Sequence, residues 1–238
     1  MSASTAAVTA SSSPYTSPAF WERLWRSAGI QFVVFFVGTC LIYGQLPGLG
    51  VSAAALDGFY GGDRTRILVA SALSALNVLN LMWFAAAVRT TLVDAGQDGW
   101  GSAGTAASAA FGALFLLLVT LGAALTYSAG GVGARTLVPA LHDFGWALIV
   151  LSSFPRAMLI MSWAFGLWRA RLISGGLFAV GVGAVVLVLL GGTTWMTDGV
   201  WAPDGAYSRF ISPIVGLAWI VVVSRVLLTR SPATRAGW

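Results

Sequence analysis

Long blocks without a single charge restrict this chain more than any motif does. No Asp, Glu, Lys or Arg occurs from Gly29 through Tyr43, and similar blocks recur to the end of the sequence. A charge at the centre of a bilayer costs about 3 kcal/mol or more, so such blocks are what a lipid interior demands. The backbone must also satisfy its own hydrogen bonds there, which leaves helices as the natural spanning element. Only 9% of the 238 residues are charged, against roughly 25% in a soluble domain. Mean hydropathy is +0.84. The expected fold is an all-α polytopic transmembrane bundle of about six spans, with no extramembrane domain.

A spanning helix needs about 20 mainly apolar residues. The six candidates fall at 28–45, 64–88, 103–127, 139–169, 173–195 and 209–229, within a transmembrane domain over 20–230. Residues 1–19 are Ser-, Ala- and Thr-rich and lack a basic segment leading into an apolar one. They read as a disordered tail and not a signal peptide. Residues 231–238 form a C-terminal tail. Between the first two spans, Ser52 to Tyr60 suits a short interfacial helix, and Asp63 suits an N-cap for the second span. The stretch 90–101 reads as a polar loop. Gly104, Ser108 and Gly112 form a ridge of small residues that permits close helix approach. Gly130, Gly131 and Gly133 are expected to end the third span.

The fourth element has no turn signal from Pro139 to Arg169 except Pro155. Its length corresponds to roughly 46 Å of helix, too short for two spans and long for one. One tilted helix, starting near Pro139 and kinked at Pro155, is expected.

All 13 basic residues are arginines. With the excess of Ala, Gly and Val, this points to a GC-rich genome. The sequence pI near 10.1 does not imply nucleic acid, because the arginines are scattered at helix ends. With the N-terminus inside, eight arginines face the cytoplasm (23, 26, 89, 169, 171, 225, 230 and 235) and four face out (64, 66, 135 and 209). The positive-inside rule then favours both termini in the cytoplasm. Cys40 is the only cysteine, which rules out an intramolecular disulfide.

Few residues carry chemistry. Arg156 lies near mid-depth with no acid at that level on another span, and an intramembrane charge is a functional candidate by default. The carbonyl of Leu151, freed by Pro155, would offer it a partner, as would Asn77, Asn80 or an anionic ligand. Ser71, Ser74, Asn77 and Asn80, at steps of three, are expected to share one face that either glues helices or walls a cavity with Arg156. Trp21, Trp25, Trp100, Trp168, Trp195 and Trp201 suit an aromatic belt. Trp83, Trp146, Trp163 and Trp219 lie deeper. Of these, Trp146 and Trp163 suit the apolar wall of a pocket. His142 and Asp143 sit near the outer end of the fourth helix, where they suit acid–base work only if the protein is an enzyme. One His in the chain argues against a metal site, and no cofactor motif is present.

The stretch LDGFYGGDRTRILVASALSALNVLNLMWFAAAVRTTL, residues 56–92, precedes a small-residue third span and a long fourth helix with a central Pro. This pattern resembles the small six-span membrane proteins of unknown function in high-GC Gram-positive bacteria. The resemblance covers roughly 25–230 as an order of spans, and it implies a plasma-membrane location and no activity.

Three readings follow. The first is a binder of an amphiphilic or anionic lipid-like molecule, or of a membrane partner. It uses a cavity between the second and fourth helices with Arg156, Asn77, Asn80, Trp146 and Trp163 on its walls. The second is an intramembrane enzyme acting on a lipid or terpenoid through His142 or Asp143. The third is a small transporter or channel, a homo-oligomer joined through the Gly104–Gly112 ridge.

Overall fold

The computed structural model describes residues 18–129 and 134–229. Residues 1–17 of the expected N-terminal tail, the expected C-terminal tail over 231–238 and the expected break at Gly130–Gly133 lie outside the described residues, while residues 18 and 19 of the expected tail are helical and begin α1. The described chain is all-helical, in the order α1 (Pro18–Tyr43), α2 (Ala53–Gly62), α3 (Arg64–Asp94), α4 (Asp98–Ser128), α5 (Ala134–Leu151), α6 (Ser153–Arg169), α7 (Gly175–Gly191) and α8 (Ser212–Thr229). One π-helical turn, Tyr207–Ile211, leads into α8. Five helical stretches are long and apolar enough to cross a membrane: Phe20–Tyr43, Arg64–Asp94, Asp98–Ser128, Leu137–Arg169 and Tyr207–Thr229. The fifth expected span is present as α7, a shorter apolar helix of 17 residues, because Gly191 and Gly192 end it before Trp195.

Local chemistry explains most boundaries. The Ser52 hydroxyl accepts from Ala55 N and caps α2, and Asp63 Oδ1 accepts from Arg66 N to start α3. The expected polar loop over 90–101 is instead mostly helix. α3 runs to Asp94, α4 starts at Asp98, and only Ala95–Gln97 turn. Gly96 takes φ +72°, while Gln97 N reaches Leu92 O at 2.7 Å and Gly96 N reaches Val93 O at 2.9 Å. This left-handed cap satisfies two end carbonyls in three residues. Polarity there marks the membrane surface and not a loss of helix. The same cap ends α6, with Arg171 in the left-handed position at φ 55°.

The long fourth element also departs in detail. It begins at Ala134, so Pro139 lies inside α5 and not in its first turn. Its break falls at Ser152, one turn before Pro155. Pro155 has no N–H for the Leu151 carbonyl and its ring crowds that oxygen, so strain appears on the preceding turn. The ladder resumes at once, with Arg156 N bonded to Ser152 O at 3.2 Å.

α3 packs between α1 and α4, α4 continues onto α6, and α6 onto α7; α8 closes the ring against α7 and α1. The bundle has two unequal ends. Towards the end where α1 begins and α8 finishes, Phe32, Leu81, Phe84, Ile160, Trp163 and Trp219 join one large buried cluster. Ser224 Oγ there donates to Arg26 O at 2.6 Å, and Arg26 donates to Leu227 O at 3.1 Å, tying α8 to α1. Towards the other end, a small cluster of Leu56, Tyr60, Ile67, Leu125 and Val138 seats α2 on α3, α4 and α5. Lipid offers no hydrophobic drive between helices, so close fit has to hold them. Gly104 supplies it: a Cβ there would meet Trp163 Nε1 at 2.5 Å. Ser108 and Gly112 are buried too, with Gly112 against Val78 of α3. The small-residue ridge is therefore packed against α3 and α6 within one bundle.

Candidate ligand-binding cavity

Towards the α2 end the bundle is hollow. A cavity of about 660 Å³ opens between α1, α4, α5, α6 and the π-turn, with Tyr60 of α2 among its lining. That volume is typical of sites for single small molecules. Its middle is apolar, walled by Phe115, Leu118, Leu121, Leu141 and Ile149. Polar groups gather at two levels. Arg156 and Ser152 lie at the kink, and Gln45, Tyr60, His142 and Arg209 lie nearer the α2 end. Residues 142 and 156 are separated by roughly 20 Å of helix. None of the lining residues comes from the end that carries Arg26, Arg89 and Arg169. Beside Arg156 lies only a void of about 30 Å³, room for a water or two, lined by Phe32, Leu159 and Ile160. The cavity's lining thus comes from the α2 half of the bundle and the kink.

Arg156 is partly buried. Its side chain points back along its own helix, as helical side chains do. Nε donates to Ser152 O at 3.2 Å and Nη2 to Ser153 Oγ at 2.8 Å. Its partners are therefore local, and neither the Leu151 carbonyl nor Asn77 nor Asn80 serves. A guanidinium has five N–H donors, so most of its capacity faces the cavity or the Phe111 ring, whose centroid is 6.0 Å from Cζ. Among the described residues, Glu22, Asp63, Asp98 and Asp204 pair with Arg26, Arg66, Arg89 and Arg209, and no carboxylate pairs with Arg156. An unpaired cation out of bulk water is costly, which makes this spot attractive to an anion.

His142 is a strut. Its Nδ1 lies 2.9 Å from Tyr60 Oη, and its Nε2 lies 3.2 Å from the carbonyls of both Pro47 and Gly48. Carbonyls only accept, so in the neutral ring Nε2 carries the hydrogen and Tyr60 donates to Nδ1. Burial, and then the Tyr43 phenol beside it, push the Tyr60 hydroxyl well above the ordinary phenol value, which keeps it a donor. Trp146 Nε1 adds a bond to Pro47 O at 3.0 Å. From the other side, Arg209 donates to Leu46 O at 2.8 Å, and Asp204 Oδ2 accepts from Leu49 N at 3.0 Å. The Arg209 guanidinium sits 4.6 Å from the Trp146 ring centroid. The widened π-turn carries Arg209 to this position. The segment after α1 is thus stapled to α5 and to the start of α8.

The structure therefore brings together Arg156, Trp146 and His142 and separates the rest. Asp143 is not on the cavity wall, and His142 already spends both ring nitrogens, which leaves the acid–base reading without a free pair. Asn77 is buried and donates to Phe32 O at 3.0 Å, joining α3 to α1, while Asn80 donates to Asn77 Oδ1 at 3.3 Å. These are glue, away from the cavity. Trp163 is fully buried, edge-on to Phe84 at 5.3 Å, and is packing. From the polar row only Ser74 reaches the cavity. Sequence reasoning passed over Arg209, Tyr43 and Tyr60. The available signal was their clustering where the chain leaves α1, enters α2 and begins α8.

Among the described residues, no three His, Cys, Asp or Glu side chains converge as metal ligands would. The chain matches no protein family, and no curated protein or solved structure matches it.

Proposed function

We propose that this membrane protein binds an amphiphilic small molecule in the cavity lined by α1, α4, α5, α6 and the π-turn. The observation that carries the reading is Arg156, a cation without a carboxylate partner in the wall of a mainly apolar cavity of about 660 Å³. The setting is a bacterial plasma membrane with both termini cytoplasmic. Its support is the excess of arginine on one side, which puts the α2 end and the cavity outside.

The test is native mass spectrometry of the protein gently extracted from its own membrane, beside Gly145→Phe. A Cβ on Gly145 would approach Leu118 at 3.4 Å and Leu121 at 3.7 Å, both on the cavity wall, so a benzyl group there occupies the cavity. A discrete bound molecule in the parent that is missing from the variant is expected. A naked monomer in both, or the same bulk lipid on both, overturns the reading.

A further inference from the structure

We infer that the ligand is a lipophilic monocarboxylic acid: an elongated apolar body bound acid-first, its carboxylate on Arg156 below the level of bilayer headgroups. This rests on the cavity being a binding site and adds what it selects.

Depth is the first argument. An ordinary lipid seated here would keep its headgroup at the membrane surface, beside Gln45 and Arg209, and lay its chain towards Arg156. That arrangement sets a cation against hydrocarbon. It also offers the headgroup an arginine that is already engaged by Asp204, the Leu46 carbonyl and the Trp146 face. The unengaged donors are at the kink. Arg156 Nη1 makes no hydrogen bond with any described residue, and Nη2 retains one N–H, so a planar carboxylate can be held by two parallel bonds.

Charge is the second. A carboxylate opposite one arginine leaves the pair neutral. A phosphate monoester carries about −1.5 to −2 at neutral pH and would leave an excess negative charge in the apolar cavity. Among the described residues, the other arginine on the cavity wall is Arg209, which lies nearer the α2 end.

Access is the third. Cys40, Leu41 and Phe210 line the cavity and are also exposed on the bundle surface. This lateral portal faces the bilayer, where a lipophilic acid partitions.

The portal contains the only cysteine, which gives a direct readout. The protein in nanodiscs of zwitterionic lipid is alkylated at Cys40 with N-ethylmaleimide, and intact mass follows the rate. Four probes are compared: a long-chain fatty acid, its methyl ester, an alkyl phosphate of equal length, and discs containing phosphatidylglycerol. Charged hydrogen bonds of this kind are worth about ten- to hundredfold in affinity, so the acid should protect Cys40 at concentrations that much lower than the ester. Arg156→Gln should abolish the difference between acid and ester. Should that variant fail to accumulate, the acid–ester comparison in the parent decides by itself. Equal protection by acid and ester refutes anion selection while leaving an amphiphile cavity in place. Stronger protection by the alkyl phosphate or phosphatidylglycerol refutes the carboxylate assignment. Protection by none, together with a naked monomer in the mass spectrum, removes both proposals.

Discussion

Replacing Gly104 by alanine, beside the same change at Gly38, isolates the contact that holds α4 on α6. Both glycines lie in spanning helices, so both substitutions gain the same intrinsic helix preference of about 1 kcal/mol. Only their surroundings differ. A Cβ on Gly38 meets nothing within 4 Å, whereas one on Gly104 meets Trp163 Nε1 at 2.5 Å and Cδ1 at 2.8 Å. Ordinary contact between heavy atoms lies near 3.5–4.0 Å, so the indole or the helix must retreat by about 1 Å. The indole has no room, since it is fully buried and wedged edge-on to Phe84. Overpacking of this size costs about 1–3 kcal/mol, and because the helix-preference gain cancels between the two variants, Gly104→Ala should be less stable than Gly38→Ala by that amount. Unfolding titrations in mixed micelles, followed by circular dichroism, measure the difference. Adding Trp163→Phe should recover part of it, as a coupling well beyond the roughly 0.5 kcal/mol scatter of independent sites. Equal stability of the two alanine variants, or strict additivity with Trp163→Phe, refutes the contact.

Other expectations follow from the same geometry. Asn77→Leu loses one interhelical bond and should destabilise the bundle by about 0.6–1.7 kcal/mol in that titration, with Cys40 protection unchanged. A loss of protection would put Asn77 at the ligand after all. Tyr60→Phe strands His142 Nδ1 and should cost about 1–3 kcal/mol near neutral pH. The Tyr60 hydroxyl is raised in the folded protein, so the unfolded chain loses that proton first and stability falls as pH rises above the ordinary phenol value of about 10. Unfolding midpoints between neutral and strongly alkaline pH should fall more steeply in the parent than in Tyr60→Phe. Arg209→Ala removes the bond to Leu46 and the pair with Asp204, so hydrogen exchange at the Leu49 amide should accelerate about ten- to hundredfold. An unchanged rate would show that the segment after α1 is held by His142 and Trp146 alone.

Residues whose message is hydrophobicity or capping were legible in the sequence. The apolar blocks became the long helices, Asp63 and Ser52 became caps, and Pro155 broke its helix one turn upstream. Facing directions were less legible. Steps of three advance 300° around a helix of 3.6 residues per turn, so each step slips by about 60° and the row from Ser71 to Asn80 turns through half a circle. Ser74 consequently meets the cavity while Asn77 meets α1. The polar stretch around residues 90–101 misled for another reason: helices that outrun the hydrocarbon need polar ends, and polarity alone does not break them. The cavity was not legible at all, because it depends on how α1, α4, α5, α6 and the π-turn pack around it. Arg209 became part of the site only once the π-turn had set its direction.

The hollow at the α2 end gives the molecule two mechanical halves. One end is closed by a large set of interlocked aromatic and aliphatic side chains, and the other by a small apolar cluster under α2 and by hydrogen bonds to the Leu46–Leu49 segment. Openings of the second kind need far less free energy than unfolding the whole. An occupant of the cavity would then act as a removable piece of the protein's own interior. At a hundred times its dissociation constant it would add about 2.7 kcal/mol to the folded state, concentrated where the bundle is weakest. The protein's lifetime in the membrane would thereby report the supply of the molecule it holds.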